Sequence, residues 1–222
     1  MKKIISFVCY GAAAALTVFI LYIQCGINVI ISWVGLLLAL ILISGILITG
    51  TLFRISGLND PAKKHHTVYI TLWIIFIFYI AFLVYLLFLD NTFGRTIQED
   101  HSNYYWYFKF RTNFIPFRMI SEYIRNLKHG AVKYAVINLF GNLAAFMPMA
   151  FFMPMLFKTM RKPIPFMIFI LSALVLVEGT QFLLMVGICD IDDIILNFTG
   201  SMIIYIILKL TIFRKQLKTF LN

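Results

Sequence analysis

Six runs of about 20 apolar residues constrain what this sequence can fold into more than any other feature. They lie at Ile4–Ile23, Val29–Phe53, Thr67–Leu89, Ala135–Phe157, Ile164–Val186 and Ile194–Phe213. An apolar helix of about 20 residues crosses the bilayer hydrocarbon with its backbone polar groups bonded within itself. A soluble core has no use for six of them. Composition agrees, with 62% of residues hydrophobic and 13% charged, against about half and about a quarter in soluble domains. The expected fold class is all-α integral membrane, a polytopic bundle of about six transmembrane helices. The sixth run is, with the first, one of the two shortest and directly follows acidic residues, so a re-entrant element is its alternative.

The first run follows Lys2 and Lys3. It exceeds the roughly 7–15 residue apolar region of a secretory signal, and no A-x-A site follows it. Gln24 is too large to precede a lipoprotein-type Cys25. The run reads as a retained anchor.

Lys and Arg concentrate in short cytoplasmic loops. With the amino terminus inside, that side holds Lys2, Lys3, Arg54, Lys63, Lys64, Lys158, Arg161, Lys162, Lys209, Arg214, Lys215 and Lys218, which is 12 of the 19 basic residues. Both termini are therefore expected in the cytoplasm. The net charge of +10 reads as topology and contact with anionic lipid of the bilayer, and no motif supports nucleic acid as a partner. Three regions follow: residues 1–90 with three helices, an extracytoplasmic loop at 91–134, and residues 135–213 with three more helices. The loop carries an aromatic cluster, Tyr104–Phe108, of the kind found at headgroup level. Beyond it, Phe117, Ile120, Ile124 and Leu127 recur at helical spacing. That pattern gives an amphipathic helix, either lying on the outer leaflet or packing as a lid on the bundle.

Polar side chains within membrane helices are costly and face protein or water. Glu178 lies inside the fifth run, with Gln181 one turn later on the same face. Asn138 and Asn142 share a face of the fourth, beside Gly141. Asp190, Asp192 and Asp193 precede the sixth, which carries Asn197 and Gly200. All sit toward the outer ends of their helices. The simplest arrangement is one outer-leaflet polar pocket with a hydrophobic floor, covered by the loop residues Arg111, Asn113 and Arg118. Plainer roles exist: Asp192 or Asp193 can cap the sixth helix, and Asn138 and Asn142 can bridge helices. Pro116, Pro148 and Pro154 are geometric.

Four elements now form a recognisable order: Arg111–Phe117 (RTNFIPF), Asn138–Asn142 (NLFGN) with Phe146 and Pro148, Glu178-x-x-Gln181, and Asp190–Asp193 (DIDD) with Asn197 and Gly200. Together, over Arg111–Gly200, the chain resembles the VanZ-like family of bacterial membrane proteins. Two departures stand out. The family often has an arginine shortly before its aspartate motif, where this chain has Val186–Cys189 (VGIC), and a glycine often follows the proline of the fourth helix, near Ala150. The resemblance implies the bacterial plasma membrane and a link to low-level resistance to teicoplanin, a glycopeptide aimed at cell-wall precursors.

The leading functional expectation is binding or modification of an amphipathic or lipid-linked envelope molecule. Its site residues are Arg111, Asn113, Asn138, Asn142, Glu178, Gln181, Asp190, Asp193 and Asn197, with Glu178 as the candidate acid or base. The alternative is a metal-dependent hydrolase or transferase using Glu178 together with Asp190, Asp192 and Asp193, whose oxygens hold Mg²⁺ or Ca²⁺. A transporter ranks lower, since no repeat is visible and the polar groups lie on one side. Last is a purely structural envelope factor. Cys25 and Cys189 fall in loops on one side, where free thiols are preferred over a disulfide.

Overall fold

The structure is a computed structural model that describes residues 1–26, 31–90, 104–128 and 132–211. Six of its helices are long and apolar enough to cross a membrane: Lys2–Gln24, Trp33–Ile55, Pro61–Leu89, Ala135–Leu156, Pro163–Leu183 and Ile191–Thr211. The expected all-α membrane class holds. The chain divides into two compact units, Met1–Leu86 and Leu87–Asn222.

The first unit contains α1 (Lys2–Gly26), α2 (Trp33–Ile55) and α3 (Pro61–Val84), the last continuing as a wider turn over Tyr85–Leu89. Ser32 starts α2 by accepting the Gly35 N–H on its hydroxyl at 3.3 Å. Asp60 starts α3 by accepting the Ala62 N–H at 2.9 Å, and Pro61 supplies a first-turn residue that needs no N–H partner. The third span therefore begins six residues before its apolar run. A hydroxyl chain ties the three helices: Tyr10 Oη lies 3.1 Å from Thr51 Oγ1, which lies 2.7 Å from Thr71 Oγ1. Without water in a bilayer core, such hydroxyls satisfy one another.

The second unit runs α4 (Tyr104–Phe110), β1 (Thr112–Asn113), α5 (Arg118–Lys128), α6 (Val132–Ala145), α7 (Met149–Leu156), α8 (Pro163–Leu183), β2 (Cys189–Asp190) and α9 (Ile191–Thr211). The fourth span is thus two helices. Pro148 lacks an N–H and its ring crowds the carbonyl one turn back, so the helix breaks between Ala145 and Met149. Helix α6 crosses α9 so closely that a Cβ on Gly200 would collide with the Leu143 carbonyl. Phe166 of α8 stacks on Tyr205 of α9 with centroids 4.3 Å apart.

The expected amphipathic helix exists as α5. Tyr123 is its buried residue, and Phe117 and Ile124 are exposed. Helix α5 packs on α6 and touches α9, while Phe114, Ile115, Phe117 and Ile124 remain an exposed apolar strip. In α4, Tyr107 is the inward residue, and Tyr104, Tyr105, Trp106 and Phe108 are exposed. Cys9 and Cys189 are free thiols. The side chain of Cys25, and with it any pairing, lies outside the described residues, as do Arg214, Lys215 and Lys218.

Candidate functional site

Two strands of two residues each build the site. The segments are short and 77 positions apart, yet Thr112 pairs with Cys189 and Asn113 with Asp190 in a parallel ladder. The Cys189 N–H donates to the Arg111 carbonyl at 3.0 Å. This ladder fixes the turn between α8 and α9, a turn that also needs positive φ at Met185 and Gly187.

On that frame Asp190 becomes a junction. It starts α9, accepting the Asp192 N–H on Oδ1 at 2.9 Å. The same oxygen accepts the Asn113 amide at 2.7 Å, and the backbone N–H of Asp190 donates to Oε2 of Glu178 at 3.0 Å. The Cys189 thiol also hydrogen-bonds Glu178. Glu178 is only 8% exposed, so protein donors compensate part of the cost of burying its carboxyl.

The charge states outside the spans follow from burial first. Burial pushes the Asp190 carboxyl above its ordinary 3.8. Hydrogen bonds from Asp192 and Asn113 oppose this, and the charges of Asp192 and Glu122 add to it. Cys189 is pushed up to about 12 by burial, by the charge of Glu178 and its hydrogen bond, and by the charges of Asp190 and Asp193. A thiol so raised stays protonated and acts as a donor to Glu178, with little nucleophilic character. Tyr107 rises to about 12 through burial and the same neighbourhood, opposed by Arg111.

Glu178, Cys189 and Asp190 face a groove of about 300 Å³ whose other walls are Phe114, Val175, Gly179, Phe182, Ile191 and Ile194. The groove is open to the outside along its apolar rim, where Val175 and Phe114 are 53% and 55% exposed. Its accessible wall is almost wholly apolar, and the polar atoms of the buried Glu178 and Asp190 lie just behind that surface.

The single polar pocket expected from sequence is divided in two. Asn113, Glu178 and Asp190 meet at the groove. Asn142, Asp193 and Asn197 form a separate set: the Asn142 amide donates to Asp193 Oδ1, and the Asn197 amide donates to the Asp193 carbonyl at 2.8 Å. Asn197 Oδ1 is buried without a hydrogen-bond partner among the described residues. Gln181 shares a face with Glu178 but turns its amide to the Leu87 carbonyl at 2.9 Å. Arg111 lies with its guanidinium carbon 6.0 Å from the Trp106 ring centre. Asn138 is half-buried on α6, and neither it nor Arg111 lines the groove.

The three aspartates have three separate tasks. Asp192, 0% exposed, receives the backbone N–H groups of Phe117 (2.5 Å), Met119 (2.8 Å) and Ile120 (3.1 Å). It caps α5 from another helix, and its fit with the positive end of that helix is electrostatic as well. Asp190 starts α9, a role the sequence had suggested for Asp192 or Asp193. Among the described residues no three His, Cys, Asp or Glu side chains are placed to hold a metal ion. Asp190, Asp192 and Asp193 are neighbours in sequence without forming a ligand set for Mg²⁺ or Ca²⁺.

Sequence reasoning missed Cys189, Tyr107 and the groove walls Phe114 and Phe182. The signal for Cys189 was its place beside Asp190. Tyr107 lay in the aromatic cluster Tyr104–Phe108 and Phe114 in the Arg111–Phe117 element; Phe182 gave no signal, because apolar residues are the background of a membrane chain.

A polytopic membrane protein with a buried carboxyl in the wall of an open apolar groove is the class that fold and site define. Residues 76–214 match the VanZ/LLP1 family model, more than half of the chain, and the chain belongs to that family. The match extends beyond Arg111–Gly200 at both ends and reaches back into α3. No curated protein and no solved structure matches the chain.

Proposed function

We propose that the groove binds an amphipathic or lipid-linked molecule of the bacterial envelope, its apolar part against Phe114, Val175, Phe182 and Ile194 and its polar head at Glu178 and Asp190. The observation that carries this reading is Glu178 itself, a carboxyl buried among apolar helices yet lining a groove open at its rim. An intramembrane carboxyl with such access marks a functional site more often than a structural one. An ionised carboxylate accepts hydrogen bonds at both oxygens, which suits a head rich in hydroxyl, amide or ammonium donors. The open apolar rim allows entry from the bilayer.

Binding is favoured over metal-dependent hydrolysis because the three aspartates are committed to helix starts and an amide contact. Cys189 as a donor rather than a nucleophile points the same way. Glu178 is the group that any acid–base step would use. The site belongs on the outer face of the bacterial plasma membrane with both termini in the cytoplasm, as the charge bias supports. Membership of the VanZ/LLP1 family is in keeping with this reading, and glycopeptide resistance is the phenotype the proposal puts to the test. The test is teicoplanin susceptibility in a bacterial host expressing the chain or Glu178→Gln at equal levels. Resistance conferred by the wild type and lost in the variant supports the reading, and equal resistance in both refutes it.

A further inference from the structure

The first unit holds a second concentration of charge, far in sequence from Glu178. A cavity of about 450 Å³ opens between the last turn of α2 and the first turns of α3, lined by Arg54, Leu58, Ala62, Lys63, His66 and Thr67. Lys2 adds a further cation beside it, its Nζ donating to the Ser56 carbonyl at 3.3 Å in the turn that joins the two helices. Asp60 is the one acid of that turn. It is engaged by the Ala62 N–H at 2.9 Å and lies 4.0 Å from Lys63 Nζ. The cavity and its turn therefore keep a positive excess: Lys2, Arg54 and Lys63 against Asp60.

We propose that this cavity binds the phosphate of an anionic phospholipid headgroup. Three observations support it. First, the place is right. Helix α2 exposes the apolar side chains of Leu52 and Phe53 directly before Arg54, so Arg54 stands where the hydrocarbon ends and headgroup phosphates begin. Second, the donors suit phosphate. The Arg54 guanidinium offers paired N–H groups to two phosphate oxygens, the Lys63 ammonium a compact charge, and the His66 imidazole a further N–H. Thr67 gives its own proton to the Lys63 carbonyl at 2.8 Å, which leaves anion binding to those three. Third, the lining is mixed. Leu58 and Ala62 offer an apolar seat that a glycerol backbone fills and a free phosphate does not. Basic loops orient membrane proteins wherever the charges lie, but topology alone requires no cavity on which they converge.

The test uses the full chain in neutral detergent, its thermal unfolding followed during titration with phosphatidylglycerol, phosphatidylcholine or inorganic phosphate. A ligand of the folded state raises Tm by mass action. Phosphatidylglycerol is expected to raise it at concentrations where phosphatidylcholine and inorganic phosphate do little. Arg54→Gln with Lys63→Gln removes two exposed charges and should weaken the phosphatidylglycerol response roughly thirtyfold in concentration. Arg54→Lys with Lys63→Arg should restore most of it. Lys158→Gln with Lys162→Gln, which removes two charges elsewhere, should respond like the wild type. An unchanged response in the Arg54 and Lys63 double glutamine variant overturns the proposal. So does an equal loss in the Lys158 and Lys162 variant, which would mean attraction by net charge alone. Inorganic phosphate acting as strongly as phosphatidylglycerol overturns the lipid assignment in favour of a free-phosphate site.

Discussion

Glu178 on α8 accepts the backbone N–H of Asp190 at 3.0 Å, and this bond joins the buried carboxyl of one membrane helix to the start of the next. Through Asp190 the link extends to Asn113 at 2.7 Å, so a change at Glu178 reaches both α9 and the loop that carries Phe114.

The raised pKa of Asp190 sets a pH dependence. Its folded value lies above the ordinary 3.8, so in that window the folded state binds more protons than the unfolded one. Stability from this group is full below the ordinary value and is lost as pH rises through the raised one. Asp190→Asn keeps a helix-starting acceptor and removes the titration. Unfolding in detergent from pH 4 to 7 should show a smaller loss of stability with rising pH in Asp190→Asn than in the wild type. A steeper loss in the variant contradicts this.

Cys189 reports on Glu178. Its thiol, at about 12 rather than 9.0, carries about a thousandfold less thiolate near pH 8 than an ordinary cysteine. In a Cys9→Ser, Cys25→Ser background, Cys189 should react with a small neutral alkylating agent very slowly. Because the charge of Glu178 helps raise the thiol, Glu178→Gln should speed that reaction. A slower rate in the variant argues against a charged Glu178.

Asp192→Asn should loosen α5. The carboxylate holds three N–H groups, and an amide presents one acceptor oxygen and an NH₂ that faces those donors. Losing charged hydrogen bonds at a buried site costs about 3 kcal/mol. Hydrogen exchange at Phe117, Met119 and Ile120 should accelerate by about a hundredfold in the variant. Unchanged protection there removes Asp192 from this role.

Much of the fold was legible because crossing a bilayer demands about 20 apolar residues, and six runs supplied them. Glu178, Asp190 and Asn142 stood out because polar groups among Phe, Leu and Ile are costly. The hidden parts are those that depend on distant pairing. A two-residue ladder such as Thr112–Asn113 with Cys189–Asp190 has no period to detect. The cap that Asp192 provides to α5 spans 72 to 75 positions. Gln181 follows the helical face rule and still bonds Leu87, since a long amide reaches past its neighbour. The entry turn of α5, where Phe117 takes φ 64°, is not encoded by apolar spacing either. Gly200 was noted on the sixth run, but the close approach of the α6 backbone that only a glycine permits there depends on distant packing.

Orientation has its own test. In a cysteine-free background, Ser121→Cys places a thiol at an exposed position of α5. A membrane-impermeant maleimide should label it in intact cells. Labelling only after the cells are broken places α5 on the cytoplasmic side and reverses the topology.

The central claim is that the groove at Glu178 holds the head of an amphiphile, and the most direct measurement is mass spectrometry of what stays bound after purification in mild detergent. Wild type, Glu178→Gln and Val175→Trp are compared at equal protein. Gln keeps the shape of Glu178 and removes its charge, whereas Trp at Val175 fills the groove and leaves the carboxyl in place. One polar-headed envelope amphiphile is expected, enriched over bulk phospholipid in the wild type and reduced at least tenfold in both variants. Equal retention by all three, or no enrichment in the wild type, contradicts it.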